Sequence, residues 1–191
     1  MVKLGEMTLI RIDWNAIGSM QSGVFHHLND GQRRILTLLV QELTSVDFSY
    51  NLFAQTRALP DTMRESFHHA KCYIGAVRRY HRLMQSTAGY GWPGPVAAKL
   101  KPLIKIHGPK LECYIDARDA IEHVDEHGKT AVWWMAAMDE TGLKVKKDVD
   151  GVEIRVELVG GAALTTCVDY HFGVLDAVVD HFGTAVRPRS P

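Results

Sequence analysis

The chain has no excess of charge of either sign and no long apolar run. Its 191 residues carry 22 Lys and Arg against 22 Asp and Glu, which gives a formal net charge of zero. This balance argues against an obligate nucleic-acid coat or a membrane-surface protein, although it is compatible with a local basic patch. No stretch has the length and hydrophobicity of a signal peptide or a membrane span, so we expect no membrane partner.

Cysteine is scarce, and several well-known site motifs are missing. Cys72, Cys113 and Cys167 are widely separated and form no CxxC pair, which argues against a disulfide scaffold and a cysteine-based zinc site. We therefore expect a cytoplasmic protein with three buried thiols. The sequence also lacks a P-loop, GxGxxG, GxSxG and an acidic pair in a glycosidase-like context, so no cofactor is expected. The glycines of GVEIRVELVGGAA lack phosphate-cradle spacing and predict a strand-to-helix turn.

Helical periodicity is present from Gln32 onward. Apolar residues recur there at three- and four-residue spacing and predict a long helix that runs toward Leu59. Asn29 or Asp30 is suited to cap its start by accepting hydrogen bonds from exposed backbone amides. A break near Ser45 is compatible with the pattern.

Proline and glycine divide the rest of the helical region. Pro60-Asp61 restarts the chain as a second long helix to about Ser86, which the segment TAGYGWPGP then ends. VAAKLKPLIKI predicts a shorter helix that is kinked or split at Pro102. Pro109 opens a fourth helix through His127, which Gly128 terminates.

The two ends of the chain have other patterns. TLIRIDW near the start predicts a short strand, and SGVFHHLNDG predicts a connection. After Gly128 the period changes to two, so TAVWWMAAM predicts a buried strand. LKVKKDVDGVEIRVELV predicts a hairpin that turns at Asp150-Gly151. A last amphipathic helix is predicted from about Thr165 to Val186.

These elements predict one domain over residues 1–191, of the α+β class but predominantly α. An antiparallel four-helix bundle occupies residues 29–127 in this prediction. A small antiparallel β-meander and a C-terminal helix, residues 128–191, form an appendage, because so small a sheet needs the bundle to pack against.

The fourth helix carries an unusual density of charge and imidazole in DARDAIEHVDEHG, residues 116–128. At about 100° per residue, one arc faces the bundle, with Tyr114 at its edge. Arg118 and Glu122 lie on a second strip, and Asp119 and His123 lie on the far border. Both pairs have i, i+4 spacing and can form solvated salt bridges, which is one interpretation of the segment. The residues of the bundle-facing arc are Cys113, Ala117, Ala120, Ile121 and Val124.

The order Arg118-Asp119-Ala120-Ile121-Glu122-His123 resembles the Arg-x(4–6)-His motif of HEPN-type domains, which carry it late in a four-helix bundle. The resemblance covers roughly residues 29–127 and implies a metal-independent endoribonuclease that acts as a homodimer, with paired motifs lining a cleft. His123 would then transfer a proton at the ribose 2′-hydroxyl or the leaving oxygen. Arg118 would hold the scissile phosphate, and Asp119 would orient His123 or shape the cleft.

RNA is the substrate that this resemblance implies, and the acidic fourth helix is a poor surface for a polyanion. The cations needed to bind it must therefore come from elsewhere, and we predict Arg78, Arg79 and Arg82 as the substrate-binding residues.

Two other functions remain compatible with the sequence. His123 and His127, at i, i+4, could present two imidazoles to one metal ion, with a third ligand from His68, His69, His26 or His27. A non-catalytic helical module that dimerises or binds a partner protein is the other alternative, and it predicts an exposed apolar patch that involves a tryptophan.

Overall fold

The computed structural model describes residues 10–57, 63–122, 135–138, 142–146 and 153–183. Most of this part of the chain is helical, which confirms the prediction of a predominantly helical protein. The helices are α1 (Trp14–Val24), α2 (Asp30–Arg57), α3 (Met63–Thr87), α4 (Gly94–His107), α5 (Glu112–Glu122) and α6 (Ala162–Phe182), with short 3₁₀ turns at Phe25–His27 and Pro109–Leu111.

The two long helices α2 and α3 pack against each other and build much of the core. The start of α2 is capped as predicted. Asn29 Oδ1 accepts the backbone N–H of Gln32 at 2.9 Å, and Gln32 Oε1 accepts that of Asn29 at 3.1 Å. This reciprocal arrangement satisfies two amides that have no partner inside the helix. From there α2 runs unbroken to Arg57, so the break near Ser45 is not present.

The C-terminal helix α6 is a central part of the core. Ten of its residues are buried, and eight of these belong to the same apolar cluster as the core residues of α2 and α3. Tyr80 donates its hydroxyl hydrogen bond to the Cys167 carbonyl at 2.9 Å, and Tyr170 donates to the Met84 carbonyl at 3.2 Å. The prediction of an appendage over residues 128–191 is therefore wrong for α6, because its apolar surface is covered by α3 and its neighbours.

In the described part of the chain, α6 is also the helix that is long and apolar enough to cross a membrane by length and composition. Just over half of its apolar window, 56%, is buried inside the protein. Such burial is typical of a core helix in a globular protein, because a membrane-spanning helix exposes much of its surface to lipid.

Three short strands form one antiparallel sheet in the order β1 (Met135–Met138), β2 (Gly142–Lys146) and β3 (Glu153–Glu157). Met138 pairs with Leu143, and Lys144 pairs with Arg155. The sheet rests on α5, where the Tyr114 hydroxyl donates to the Glu157 carbonyl at 2.6 Å. The predicted turn at Asp150-Gly151 and the tryptophans at 133 and 134 lie outside the described residues.

The N-terminal prediction is wrong. Residues 10–13 lead into a helix instead of forming a strand, and the segment expected to be a connection, residues 22–31, includes the end of α1, the 3₁₀ turn Phe25–His27 and the start of α2. Asp13 Oδ1 accepts the backbone N–H of Ala16 at 2.9 Å and caps this helix. The predicted division of α4 is also wrong, since one helix continues through Pro102 from Gly94 to His107.

Candidate functional site

The helix that carries the Arg118 motif lies against α3. Tyr73 of α3 and Tyr114 of α5 meet edge to face, with ring centroids 6.2 Å apart. Further along α3, a Cβ added at Gly108, which comes just before α5, would lie 3.8 Å from His81 Nε2. A later residue of α3 therefore meets the start of α5, which means that the two helices run antiparallel.

Arg118 lies beside the buried face of α5. Tyr114 and Ala117 are buried, at 3% and 0% exposure, and so mark the centre of the inner face. Arg118 is four residues after Tyr114, which places it within about 40° of the tyrosine around the helix. It is partly buried accordingly. The prediction that Tyr114 lies at the edge of this face is wrong, because Tyr114 is buried near its centre.

The remaining motif residues are described less fully. Asp119 and Glu122 belong to the last turns of α5, whereas His123 and His127 lie outside the described residues. The structure therefore does not test whether Arg118, Asp119 and His123 converge. The salt bridges predicted between Arg118 and Glu122 and between Asp119 and His123 also stay predictions.

The three arginines predicted to bind substrate lie close together on α3. Arg78 is partly buried, while Arg79 and Arg82 are exposed. Arg79 Nε donates to Glu42 Oε2 of α2 at 2.9 Å, and 55% of the Arg79 side chain is exposed. Arg78 and Arg82 are separated by four residues and so share a strip of the helix surface.

His81 forms a second polar cluster at the edge between α3 and α5. The Gln85 Nε2 amide donates to His81 Nε2 at 3.1 Å in the neutral imidazole tautomer that accepts there. Partial burial lowers the pKa of His81, and the nearby Glu112 carboxylate acts in the opposite direction. His81 lies in the basic segment RRYHR, residues 78–82. No local sequence pattern predicts its contact with the start of α5, because that contact depends on how the helices pack.

The other histidines do not assemble a metal site in the described residues, where no group of three or more His, Cys, Asp or Glu side chains could hold a metal ion. His68, a predicted third ligand, instead contacts Cys72, with 3.7 Å between Nε2 and Sγ. The ring of His27 stacks on Phe182, with centroids 5.9 Å apart. His26 and His69 each lie beside a neighbouring histidine ring.

The three thiols differ in their burial. Cys167 is buried as predicted, but Cys113 is only partly buried and Cys72 is exposed, so the prediction of three buried thiols is wrong.

Trp92 is a core anchor, because it is 7% exposed and its indole N–H donates to the Thr87 carbonyl at 2.8 Å. Trp92 is thus not part of an exposed apolar patch.

Comparison with known proteins gives no family assignment, since no family model, curated protein or solved structure matches the chain.

Proposed function

We propose that the chain is a HEPN-like cytoplasmic protein that acts as a homodimeric, metal-independent endoribonuclease. The observation that supports this proposal best is the antiparallel packing of α5 against α3, which brings the helix that carries Arg118 beside the helix that carries three arginines. The predicted motif supplies few cations of its own, and α3 adds Arg78, Arg79 and Arg82 on the neighbouring helix. A phosphodiester needs such a cluster to hold its charge.

In the proposed reaction, the guanidinium of Arg118 binds the scissile phosphate and stabilises the charge that develops in the transition state. The ribose 2′-oxygen attacks phosphorus, and the bond between phosphorus and the 5′-oxygen breaks. His123 takes the proton from the 2′-hydroxyl or gives a proton to the leaving 5′-oxygen, either of which an imidazole can do near neutral pH. Asp119 orients His123, which follows it by four residues in the sequence.

In architecture, the proposal assigns α2, α3, α4 and α5 to the four-helix unit of a HEPN-type domain. The sheet rests on α5, and α6 packs against α1, α2, α3 and α4 to close the core. The homodimer in this proposal has two copies of the Arg118 motif at one cleft, so each protomer would contribute its own Arg118 and His123.

The non-catalytic alternative has less support in the described residues. The large apolar side chains exposed there are Phe48, at 63%, and Ile106, at 55%. They lie on different helices, α2 and α4, and single exposed apolar residues are common on soluble proteins. A partner-binding module would require a contiguous patch.

The proposal is tested by incubating the purified protein with RNA in excess EDTA and analysing the products. We expect fragments with 2′,3′-cyclic phosphate and 5′-hydroxyl ends, and no cleavage of the DNA strand of the same sequence, which lacks the 2′-hydroxyl. A protein that migrates as a dimer but leaves RNA intact would favour the interaction module. Cleavage that requires added metal would favour the histidine-ligated metal site.

A further inference from the structure

Helix α3 carries cations on its outer face and no acidic residue over most of its length. From Ser66 to Thr87 the sequence contains no Asp or Glu, although α3 has four Lys and Arg residues there. Lys71, Arg79 and Arg82 are exposed, and Arg78 is partly buried. The positions of these four cations around α3 decide whether they form one continuous surface.

The four cations occupy one narrow strip. Measured around the helix from Gly75, they fall within about 100° of arc, and Lys71 and Arg82 are about 16 Å apart along the axis. We call this strip, formed by Lys71, Arg78, Arg79 and Arg82, the α3 track. Ordinary surface helices intersperse charges of both signs, whereas the track presents one sign only.

The neighbouring helices hold the track at the surface without covering it. Glu42 of α2 binds Arg79 through Nε, and a Cβ at Gly75 would lie 3.8 Å from Arg79 Nη1. The guanidinium therefore lies along the helix beside a residue that has no side chain. On the other edge, Arg78 is one turn before His81, which meets the start of α5. The track thus borders the helix that carries Arg118.

The packing of α3 restricts what can bind there. Most of its apolar side is buried, including Tyr73, Ile74, Val77 and Tyr80 at 0% exposure, and its partly buried Phe67 and Leu83 pack against the core, so it has no free apolar face to insert into a membrane. Because α2 and α5 flank it, α3 also cannot enter the major groove of a duplex as a recognition helix does. Neither restriction applies to a single strand of nucleic acid, which can lie along the surface of α3.

We propose that the α3 track binds the phosphate backbone of single-stranded RNA, independently of sequence, and leads the strand toward Arg118. The assignment of RNA rests on the proposed function. The exposed side chains that the structure describes on α3, His68, Cys72 and Ser86 among them, include no Phe, Tyr or Trp on which bases could stack. Binding at the track is therefore mainly electrostatic, and salt weakens it.

The test measures binding of a short 2′-O-methyl RNA strand of mixed sequence, which the proposed reaction cannot cleave. Lys71→Ala and Arg82→Ala are each expected to weaken binding several-fold. Each should also reduce the slope of log affinity against log salt by about 0.7, the single-strand value for one phosphate contact. Arg82→Lys keeps the charge and should keep the slope. Lys101→Ala, at an exposed lysine of α4, is the matched control and should bind as the unsubstituted protein does.

The outcomes separate this inference from the proposed function. If the strand binds with the expected slopes but RNA is never cleaved, the track is supported and the enzyme is not. If RNA is cleaved but Lys71→Ala and Arg82→Ala bind as tightly as Lys101→Ala, the track is refuted and the enzyme stands. Tighter binding to duplex or to anionic lipid vesicles than to the single strand would also overturn the inference.

Discussion

The phenolic oxygen of Tyr73 accepts the backbone N–H of Leu164 at 3.0 Å, in a fully buried environment. Leu164 lies in the first turn of α6, where the backbone N–H groups have no partner inside the helix. Gly161, which precedes the helix, has no side chain to cap it. A side chain of α3, 91 residues earlier, thus caps α6 and connects the motif-bearing half of the protein to its last helix.

Replacing Tyr73 by Phe should therefore destabilise the protein. The substitution leaves the Leu164 N–H buried and without its acceptor, so we expect a loss of about 1 to 3 kcal/mol in the free energy of unfolding. Urea denaturation followed by circular dichroism measures it. Tyr90→Phe, at a partly exposed site, is the control and should change stability far less. Equal effects of the two substitutions would show that the Leu164 bond contributes little.

A second prediction concerns the buried imidazole of His171. The residue is 0% exposed, and neither of its ring nitrogens has a hydrogen-bond partner among the described residues. Burial lowers the pKa of His171 from 6.5 to about 4. The unfolded chain therefore binds this proton more readily than the folded protein does at pH values between these two, so stability falls as the pH drops through this range.

His171→Leu should remove that part of the acid sensitivity. Between about pH 7 and about pH 5, the unsubstituted protein should lose about 2 kcal/mol more stability than the variant. Urea unfolding of both proteins at the two pH values gives the difference. His68→Leu, at an exposed site on α3, serves as the control. An equal loss in His171→Leu and the unsubstituted protein would contradict the assignment to His171.

Two glycines should respond in opposite ways to alanine. Gly161 has a positive φ of 62°, and an added Cβ would lie 2.9 Å from the Tyr50 ring. Backbone strain and this clash should together cost about 2 kcal/mol or more. Gly75 lies inside α3, where an added Cβ would lie 3.8 Å from Arg79 Nη1, an ordinary contact. Gly75→Ala should raise stability by about 0.5 to 1 kcal/mol.

Thermal denaturation of the two variants under one condition compares them directly. A lower melting temperature for Gly75→Ala than for Gly161→Ala would contradict the packing described around both residues.

The sequence predicted the elements whose signals are local. The cap formed by Asn29 and the long helices α2 and α3 follow from residue type and spacing. Helix α1 also had a local signal, because Asp13 is a cap residue and Ile17, Met20 and Val24 have helical spacing. Gly18 and Gly23 interrupt that pattern and glycine weakens a helix, so this signal competes with the short apolar alternation of TLIRIDW, which predicts a strand.

What the sequence could not predict depends on contacts between distant residues. The buried position of α6 is fixed by bonds such as that from Tyr80 to the Cys167 carbonyl, 87 positions apart. The rotation of α5 was misjudged for the same reason. Its inner face is centred on Tyr114, whose hydroxyl reaches the Glu157 carbonyl of β3, and helical periodicity alone carries no information about that partner.

The central claim is that the Arg118 motif cleaves RNA, and the most direct measurement is the cleavage rate of His123→Ala in excess EDTA. His127→Ala is the matched control, since it removes a histidine four residues later in the same sequence segment. We predict that both variants keep the melting temperature of the unsubstituted protein, that His123→Ala loses cleavage, and that His127→Ala retains it. Equal cleavage by His123→Ala and the unsubstituted protein would contradict the account.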